Sequence, residues 1–254
     1  MTAIINFDHV NKKYGKQDII KDLSFSISQG EFITILGASG SGKTTTLKMI
    51  NGLEKPNGGQ ISVLGQDLSQ SNLVNLRRQI GYVVQSIGLF PHMTVGENIA
   101  VTPNLLKWDK KKIQDRVSQL LDLVNLDQDF ASRYPGQLSG GQQQRVGVAR
   151  ALAADPNLLL FDEPFSALDA ITKQDLQKAV KKLHQQLPDK TFFFVTHDIN
   201  EALFLGDRIM VLNNGQIEQF AQPEEIVKHP QTSYVKRLLE TVTQNLALWE
   251  DFDA

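Results

Sequence analysis

From Leu23 to Ser28 the chain alternates strictly, with Leu23, Phe25 and Ile27 apolar and Ser24, Ser26 and Ser28 polar. A period of two is that of a strand with one buried and one wet face. The N-terminal part therefore predicts antiparallel β structure. Four other apolar stretches, Phe32-Ile33-Thr34-Ile35-Leu36, Gly81-Tyr82-Val83-Val84, Leu158-Leu159-Leu160-Phe161 and Phe192-Phe193-Phe194-Val195, are short and nearly continuous. Such runs suit parallel strands covered by helices on both faces, so the expected fold class is α/β.

Helical signals lie between those runs. Lys43 to Asn51 predicts a helix ending at Gly52, the residue a C-terminal cap prefers. Ile113, Val117, Leu120, Leu121 and Val124 recur at helical spacing, with Asp109 as N-cap. Thr94 with Glu97, and Ser139 with Gln142, have the spacing of a capping box. A further helix is expected from Gln143 to Ala154. Nothing between about Thr94 and Gln137 suits a buried strand, which predicts a helical subdomain inserted into the core. Asn213-Asn214-Gly215-Gln216, between Ile209–Leu212 and Ile217–Phe220, predicts a hairpin followed by helices. The expected organisation is one domain over residues 1–254: an α/β core from 1–93 and 138–222, a helical subdomain at 94–137 and a helical tail at 223–254. In that tail Leu246, Leu248, Trp249 and Phe252 either cover the core or contact a partner.

Composition mainly excludes. With 254 residues, 41% of them hydrophobic, the chain can bury a substantial core. Its net charge of -2 supplies no overall field that would hold nucleic acid or anionic lipid. The absence of cysteine rules out disulfides, thiolate metal sites and cysteine nucleophiles, and fits a reducing compartment. The N-terminus lacks the layout of a signal peptide. No apolar run approaches the ~20 residues of a membrane span, so work at a membrane would require other chains to do the crossing.

Gly37-Ala38-Ser39-Gly40-Ser41-Gly42-Lys43-Thr44, followed by Thr45, fits a phosphate-binding P-loop set between an apolar strand and a helix start. Glycines let the backbone curl so that several N–H groups point at a phosphate, and the helix N-terminus adds its positive end. Lys43 supplies a charge to the β- and γ-phosphates, and the Thr44 hydroxyl is placed to ligate Mg²⁺. A glycine-rich turn that binds nothing is the bland alternative, and the strand-to-helix context argues against it. Leu158 to Phe161 ends in Asp162 and Glu163. Alone, such a pair is most often solvated. Beside a P-loop, Mg²⁺ compensates Asp162, and a water near the γ-phosphate gives Glu163 a task as general base. Leu138-Ser139-Gly140-Gly141-Gln142 is a second glycine-rich turn entering a helix, and so either another anion site or a plain capped helix. Two such turns imply two ligands, or one ligand held between two copies of the chain.

The P-loop, Gln85 after an apolar strand, LSGGQ at 138–142, Leu158–Glu163, Ser166-Ala167-Leu168-Asp169 and Thr196-His197-Asp198 occur in the order found in ATP-binding-cassette (ABC) ATPases, which the chain resembles over its length. The resemblance implies a head-to-tail homodimer with two ATP molecules, each between the P-loop of one copy and Ser139, Gly140, Gly141 and Gln142 of the other. It implies that Tyr14 stacks on adenine, although a Tyr beside Gly15 also fits a packing residue or a hairpin edge. By the same resemblance Gln85 touches Mg²⁺ and the attacking water, His197 contacts the γ-phosphate, and Asp169 couples the two sites. Nucleotide would favour the closed dimer, and a full shift of that equilibrium needs ~5.5 kcal/mol of differential binding.

The segment Ile87–Thr94 with Glu97-Asn98-Ile99, Pro103–Trp108 and Arg133-Tyr134-Pro135 is similar to ATPases of glycine betaine, carnitine and choline importers. That implies permease subunits docking near Gln85–Asn98, an extracytoplasmic substrate-binding protein, and a place at the cytoplasmic face of the cell membrane. Ser86 departs from the group's second glutamine, and the chain reaches Ala254 without paired cystathionine-β-synthase-type modules. Alternatives are an importer for another solute such as methionine or phosphate, an ABC ATPase acting on nucleic acid or ribosomes, and a cytosolic assembly scaffold. The second usually carries a second cassette, a long coiled coil or basic extensions, none of which this sequence shows.

Overall fold

The computed structural model describes residues 3–85 and 88–250, and side-chain surroundings as far as Thr241. The strands are β1 (Ala3–Tyr14), β2 (Gln17–Ser28), β3 (Phe32–Leu36), β4 (Gly58–Val63), β5 (Gln66–Asp67), β6 (Ile80–Val83), β7 (Leu158–Asp162), β8 (Thr191–Thr196), β9 (Arg208–Asn213) and β10 (Gln216–Ala221). The helices are α1 (Lys43–Ile50), α2 (Leu73–Arg77), α3 (Val95–Leu105), α4 (Lys110–Leu123), α5 (Gly140–Leu152), α6 (Ala170–Gln186), α7 (Ile199–Leu205), α8 (Pro223–Lys228) and α9 (Ser233–Glu250). Two compact units share the chain, Met1–Ser71 with Phe193–Ala254, and Asn72–Phe192.

In the first unit β1 and β2 pair antiparallel, and β4 and β5 extend the sheet in the order β2-β1-β4-β5. The alternation read at Leu23–Ser28 is met: Leu23, Phe25 and Ile27 are buried and Ser24 and Ser26 exposed. Phe7 lies opposite Phe25, and their rings stack with centroids 4.5 Å apart, a cross-strand pair of the kind that fixes register. All five residues of β3 are buried, and β3 runs parallel to β9 with Ile35 beside Met210. The β9–β10 hairpin turns through Asn214 and Gly215, both at positive φ (48° and 80°), which suits a two-residue turn between twisted strands. Leu36, Ile199, Ala202, Ile209, Val211, Ile226 and Val235 form one buried cluster, joining β3 and β9 to α7, α8 and α9. The tail positions Leu246, Leu248, Trp249 and Phe252 lie outside the described side chains.

In the second unit β6 and β7 run parallel, with Tyr82 beside Leu160. A Cβ on Gly81 would come within 2.5 Å of the Ala151 carbonyl, so glycine lets α5 lie directly on the strand. Thr94 and Glu97 form a capping box on α3, and Asp109 caps α4 through the Lys112 N–H. Residues 94–137 hold α3, α4 and two short 3₁₀ turns, Gln128–Ser132 and Pro135–Gln137. Helix α5 begins at Gly140 rather than at the expected Gln143, because the Ser139–Gln142 capping box draws the intervening residues into the first turn. Among the described residues, no helix is long and apolar enough to cross a membrane.

Asn98, fully buried on α3, holds the segment that leads into that helix. Its side chain accepts from the Phe90 N–H at 2.8 Å and donates to the carbonyls of Phe90, Met93 and Thr94 at 3.1, 3.1 and 2.9 Å. Removing it leaves four part-buried backbone groups without this partner. Asn98→Ala is expected to destabilise the protein by about 2 kcal/mol, measured as a lower urea midpoint at unchanged slope; an unchanged midpoint would show that the loop does not depend on this side chain.

Candidate nucleotide site

The first unit carries the phosphate cradle. As β3 leaves the core at Leu36, the chain must turn sharply before α1 begins at Lys43. Gly40 and Gly42 adopt positive φ (80° and 105°), a region in which a side chain is strained. A Cβ on Gly37 would come within 2.2 Å of the Leu212 carbonyl, and one on Gly42 within 2.5 Å of Ile20 Cδ1. The β9–β10 turn closes against the cradle, with the Gly215 N–H donating to the Ser41 carbonyl at 3.1 Å.

Helix α1 starts differently from its neighbours. Each of α2 to α7 has a capping side chain: Asn72, Thr94, Asp109, Ser139, Asp169 and Asp198. Gly42 provides none to α1, and no acidic residue lies in the first turn. The start of α1 therefore has neither a capping side chain nor an acidic residue against the positive end of its dipole. The buried Ser41 hydroxyl also has no hydrogen-bond partner. Lys43, 5% exposed, folds back to donate to the Gly37 and Ala38 carbonyls at 2.8 and 3.1 Å. Curled glycines, uncapped N–H donors, a spare hydroxyl and a buried ammonium form a donor set that fits a phosphate group. Ser39 is exposed, and Thr44 and Thr45 are half-buried on the first turn of α1.

Two more predicted residues belong to this unit. Tyr14 ends β1 with 45% of its surface exposed; burial of the rest, followed by the Glu54 carboxylate, pushes its phenol up. His197 is exposed just past β8, and both its neighbours are pinned. The Thr196 hydroxyl donates to the buried Glu201 carboxylate and accepts from the Asp198 N–H at 2.9 Å, while Asp198 caps α7.

The second unit carries the carboxylates. Asp162 ends β7 only 7% exposed, and the Tyr82 hydroxyl donates to its Oδ2 at 3.2 Å. Burial and then that carboxylate drive the Tyr82 phenol well above its ordinary value. Glu163 stands at φ 47°, a conformation that costs a non-glycine residue energy and that clusters at functional sites. Ser166 ties it to the glutamine loop: its hydroxyl donates to the Glu163 carbonyl at 3.0 Å and accepts from the Gln85 side chain at 3.5 Å. Gln85, Ser166, Glu163, Asp162 and Tyr82 therefore gather around the exits of β6 and β7.

The signature turn has its own local logic. The Ser139 hydroxyl accepts from the Gln142 N–H, and the Gln142 side chain accepts from the Ser139 N–H at 2.9 Å. A Cβ on Gly141 would come within 2.6 Å of Thr172 Cγ2, so a side chain there would force that methyl of α6 to move. Ser139 and Gly140 are exposed. Asp169 caps α6 through the Thr172 N–H at 3.0 Å, which holds its carboxyl below the ordinary range. Sequence reasoning passed over Tyr82 and the Ser166 bridge. The signal for Tyr82 was a hydroxyl within an otherwise apolar strand.

A family model described as ABC transporter matches residues 20–166, from β2 to Ser166. The chain is 51% identical over 92% of its length to a carnitine transport ATP-binding protein, OpuCA, of Listeria monocytogenes, covering 59% of that protein. It is 48% identical over 93% of its length to the glycine betaine/carnitine/choline transport ATP-binding protein OpuCA of Bacillus subtilis, covering 62% of it. The chain thus spans about three fifths of the length of these relatives. A solved dimeric ATP-binding cassette in a post-hydrolysis state, bound to ADP and Pi, superposes with a TM-score of 0.75 at 37% identity, over 86% of this chain and 98% of that one. With the cradle, the Asp162–Glu163 strand end and the Ser139–Gln142 turn all present, and a family match over more than half the residues, the chain belongs to the ABC transporter family.

Proposed function

We propose that this chain binds and hydrolyses ATP, to ADP and phosphate, as the motor of an importer for quaternary ammonium osmoprotectants such as glycine betaine, carnitine or choline. The observation that carries the solute class is 48–51% identity, along nine tenths of the chain, to ATP-binding proteins named for those solutes. The uncapped, glycine-lined start of α1 supports the nucleotide: Gly37 to Thr45 bind its phosphates, with Lys43 swinging from the Gly37 and Ala38 carbonyls to the β- and γ-phosphates. Tyr14 stacks on adenine.

Thr44, Gln85 and Asp162 would hold Mg²⁺, which when bound neutralises phosphate charge. Glu163 accepts the proton of the attacking water, its strained backbone fixing where the carboxylate points. Gln85 orients that water, and His197, held between Thr196 and Asp198, contacts the γ-phosphate.

In this reading ATP lies between the cradle of one copy and Ser139, Gly140, Gly141 and Gln142 of another, with Asp169 coupling the two sites of the homodimer. The dimeric state of the solved cassette supports the arrangement. Permease subunits dock near Gln85–Asn98. In support, Arg78, Tyr82, Gly88, Phe90, Thr102 and Arg150 line an open cavity of about 350 Å³, and Phe90 is 41% exposed. The permease holds the chain at the cytoplasmic face of the cell membrane, and a substrate-binding protein on the other side delivers the solute.

Lys43→Ala is expected to lower ATP turnover by at least about 100-fold, the effect of losing one transition-state donor, measured as phosphate release; wild-type turnover would remove Lys43 from the cradle. Glu163→Gln should bind ATP, hydrolyse it at a small fraction of the normal rate and accumulate as an ATP-dependent dimer in light scattering. A variant that stays monomeric with ATP would contradict the shared site. With Glu163→Gln as the only copy in cells lacking other importers, uptake of labelled glycine betaine and choline should cease; continued uptake would assign the motor to another solute.

A further inference from the structure

Tyr14 does not stand alone at the end of β1. Lys12 is 8% exposed, a degree of burial that a lysine accepts only with partners. Its ammonium lies 4.8 Å from the centroid of the Tyr14 ring and 2.9 Å from the Glu54 carboxylate, and it donates to the Lys55 carbonyl at 2.8 Å. A ring face, a carboxylate and a carbonyl match the three donors of one ammonium. The Lys12 hydrogen bond, and then that of Tyr14, hold the Glu54 carboxyl below its ordinary range.

The same clamp reaches the phosphate cradle through α1. The Leu53 and Glu54 N–H groups both close on the Lys48 carbonyl, at 2.9 and 3.0 Å, so Glu54 is fastened to the last turn of α1. The first turn of α1 carries the cradle, and a helix is a stiff rod with a fixed rise of about 1.5 Å per residue. An aromatic ring tied to one end is thereby set at a fixed span from the phosphate donors at the other. The end of β1 has separate fastenings: the Lys13 N–H donates to Asn57 Oδ1 at 2.8 Å, and the Asn57 N–H to the Asn11 carbonyl at 2.8 Å. Loss of Lys12 would therefore remove one tether of a ring whose hydroxyl also bonds to the Glu54 and Thr45 side chains, loosening the ring rather than unravelling the strand.

We propose that Lys12 and Glu54 are positioning residues for the nucleotide base, acting through Tyr14: they hold its ring at a set span from the phosphate cradle, so that adenine is selected along with phosphate. The proposal rests on the reading of Tyr14 as the adenine platform. Ordering a ring before the ligand arrives removes a cost of binding equivalent to about two- to tenfold in affinity.

Equilibrium dialysis of the full chain against ATP, and against inorganic tripolyphosphate, which lacks a base, tests this in Lys12→Met, Glu54→Gln and Tyr14→Ala. Thermal melts of each variant check the fold, and Glu54→Gln carries the test if Lys12→Met fails to fold. Lys12→Met should weaken ATP binding about three- to tenfold and raise KM at unchanged kcat, with tripolyphosphate binding as in the parent chain. Equal losses for both ligands would overturn the proposal. So would parent-like ATP binding in Lys12→Met and Glu54→Gln beside weakened binding in Tyr14→Ala. If Tyr14→Ala itself binds ATP like the parent, the platform reading falls, and this inference with it.

Discussion

The cradle opens onto a helix that begins with neither a capping side chain nor an acidic first turn. Helices α2 to α7 each have a capping side chain; α1 has none, and α8, which also has none, places Glu224 and Glu225 in its first turn where α1 has no acidic residue. A helix start of that kind favours a negative group against the positive end of its dipole. The surroundings hold that arrangement in place: β3 is buried on all sides, Gly37 admits the Leu212 carbonyl, and the β9–β10 turn closes on Ser41. Lys43 folds its charge onto two loop carbonyls of the same turn.

The second unit supplies the opposite electrostatics. A carboxylate that is 7% exposed is costly unless it is compensated, and Asp162 has the Tyr82 hydroxyl within hydrogen-bond distance. Glu163 adds a strained backbone at φ 47°. Ser166 links that strained residue to Gln85, so the exits of β6 and β7 are joined through one hydroxyl.

What the sequence made legible was local. The glycines of the cradle follow from a strand-to-helix turn of fixed length, and the capping boxes at Thr94 and Ser139 from a spacing of three residues. The Asn214-Gly215 turn is likewise a two-residue signal. The less legible features depend on partners far along the chain. Tyr82 meets Asp162 only because the parallel register sets it beside Leu160, one pair short of the strand end. Gly141 looks like part of an anion-binding turn, yet it also lies against the Thr172 methyl of α6. Lys12 would pass for a solvated charge without Glu54 and Lys55. Helix α2, five residues long, is too short to show an apolar period.

That each ATP is shared between two chains is tested most directly by mixing two defective variants, Lys43→Ala and Ser139→Glu. The first lacks a working cradle and the second a working signature turn, so a head-to-tail pair of the two holds one intact composite site. ATP retained through rapid gel filtration should be absent for either variant alone and should appear, at one nucleotide per pair of chains, in the mixture. A mixture that retains no more ATP than its separate components would place cradle and signature turn on the same nucleotide within one chain, or on different nucleotides, and would contradict the shared site.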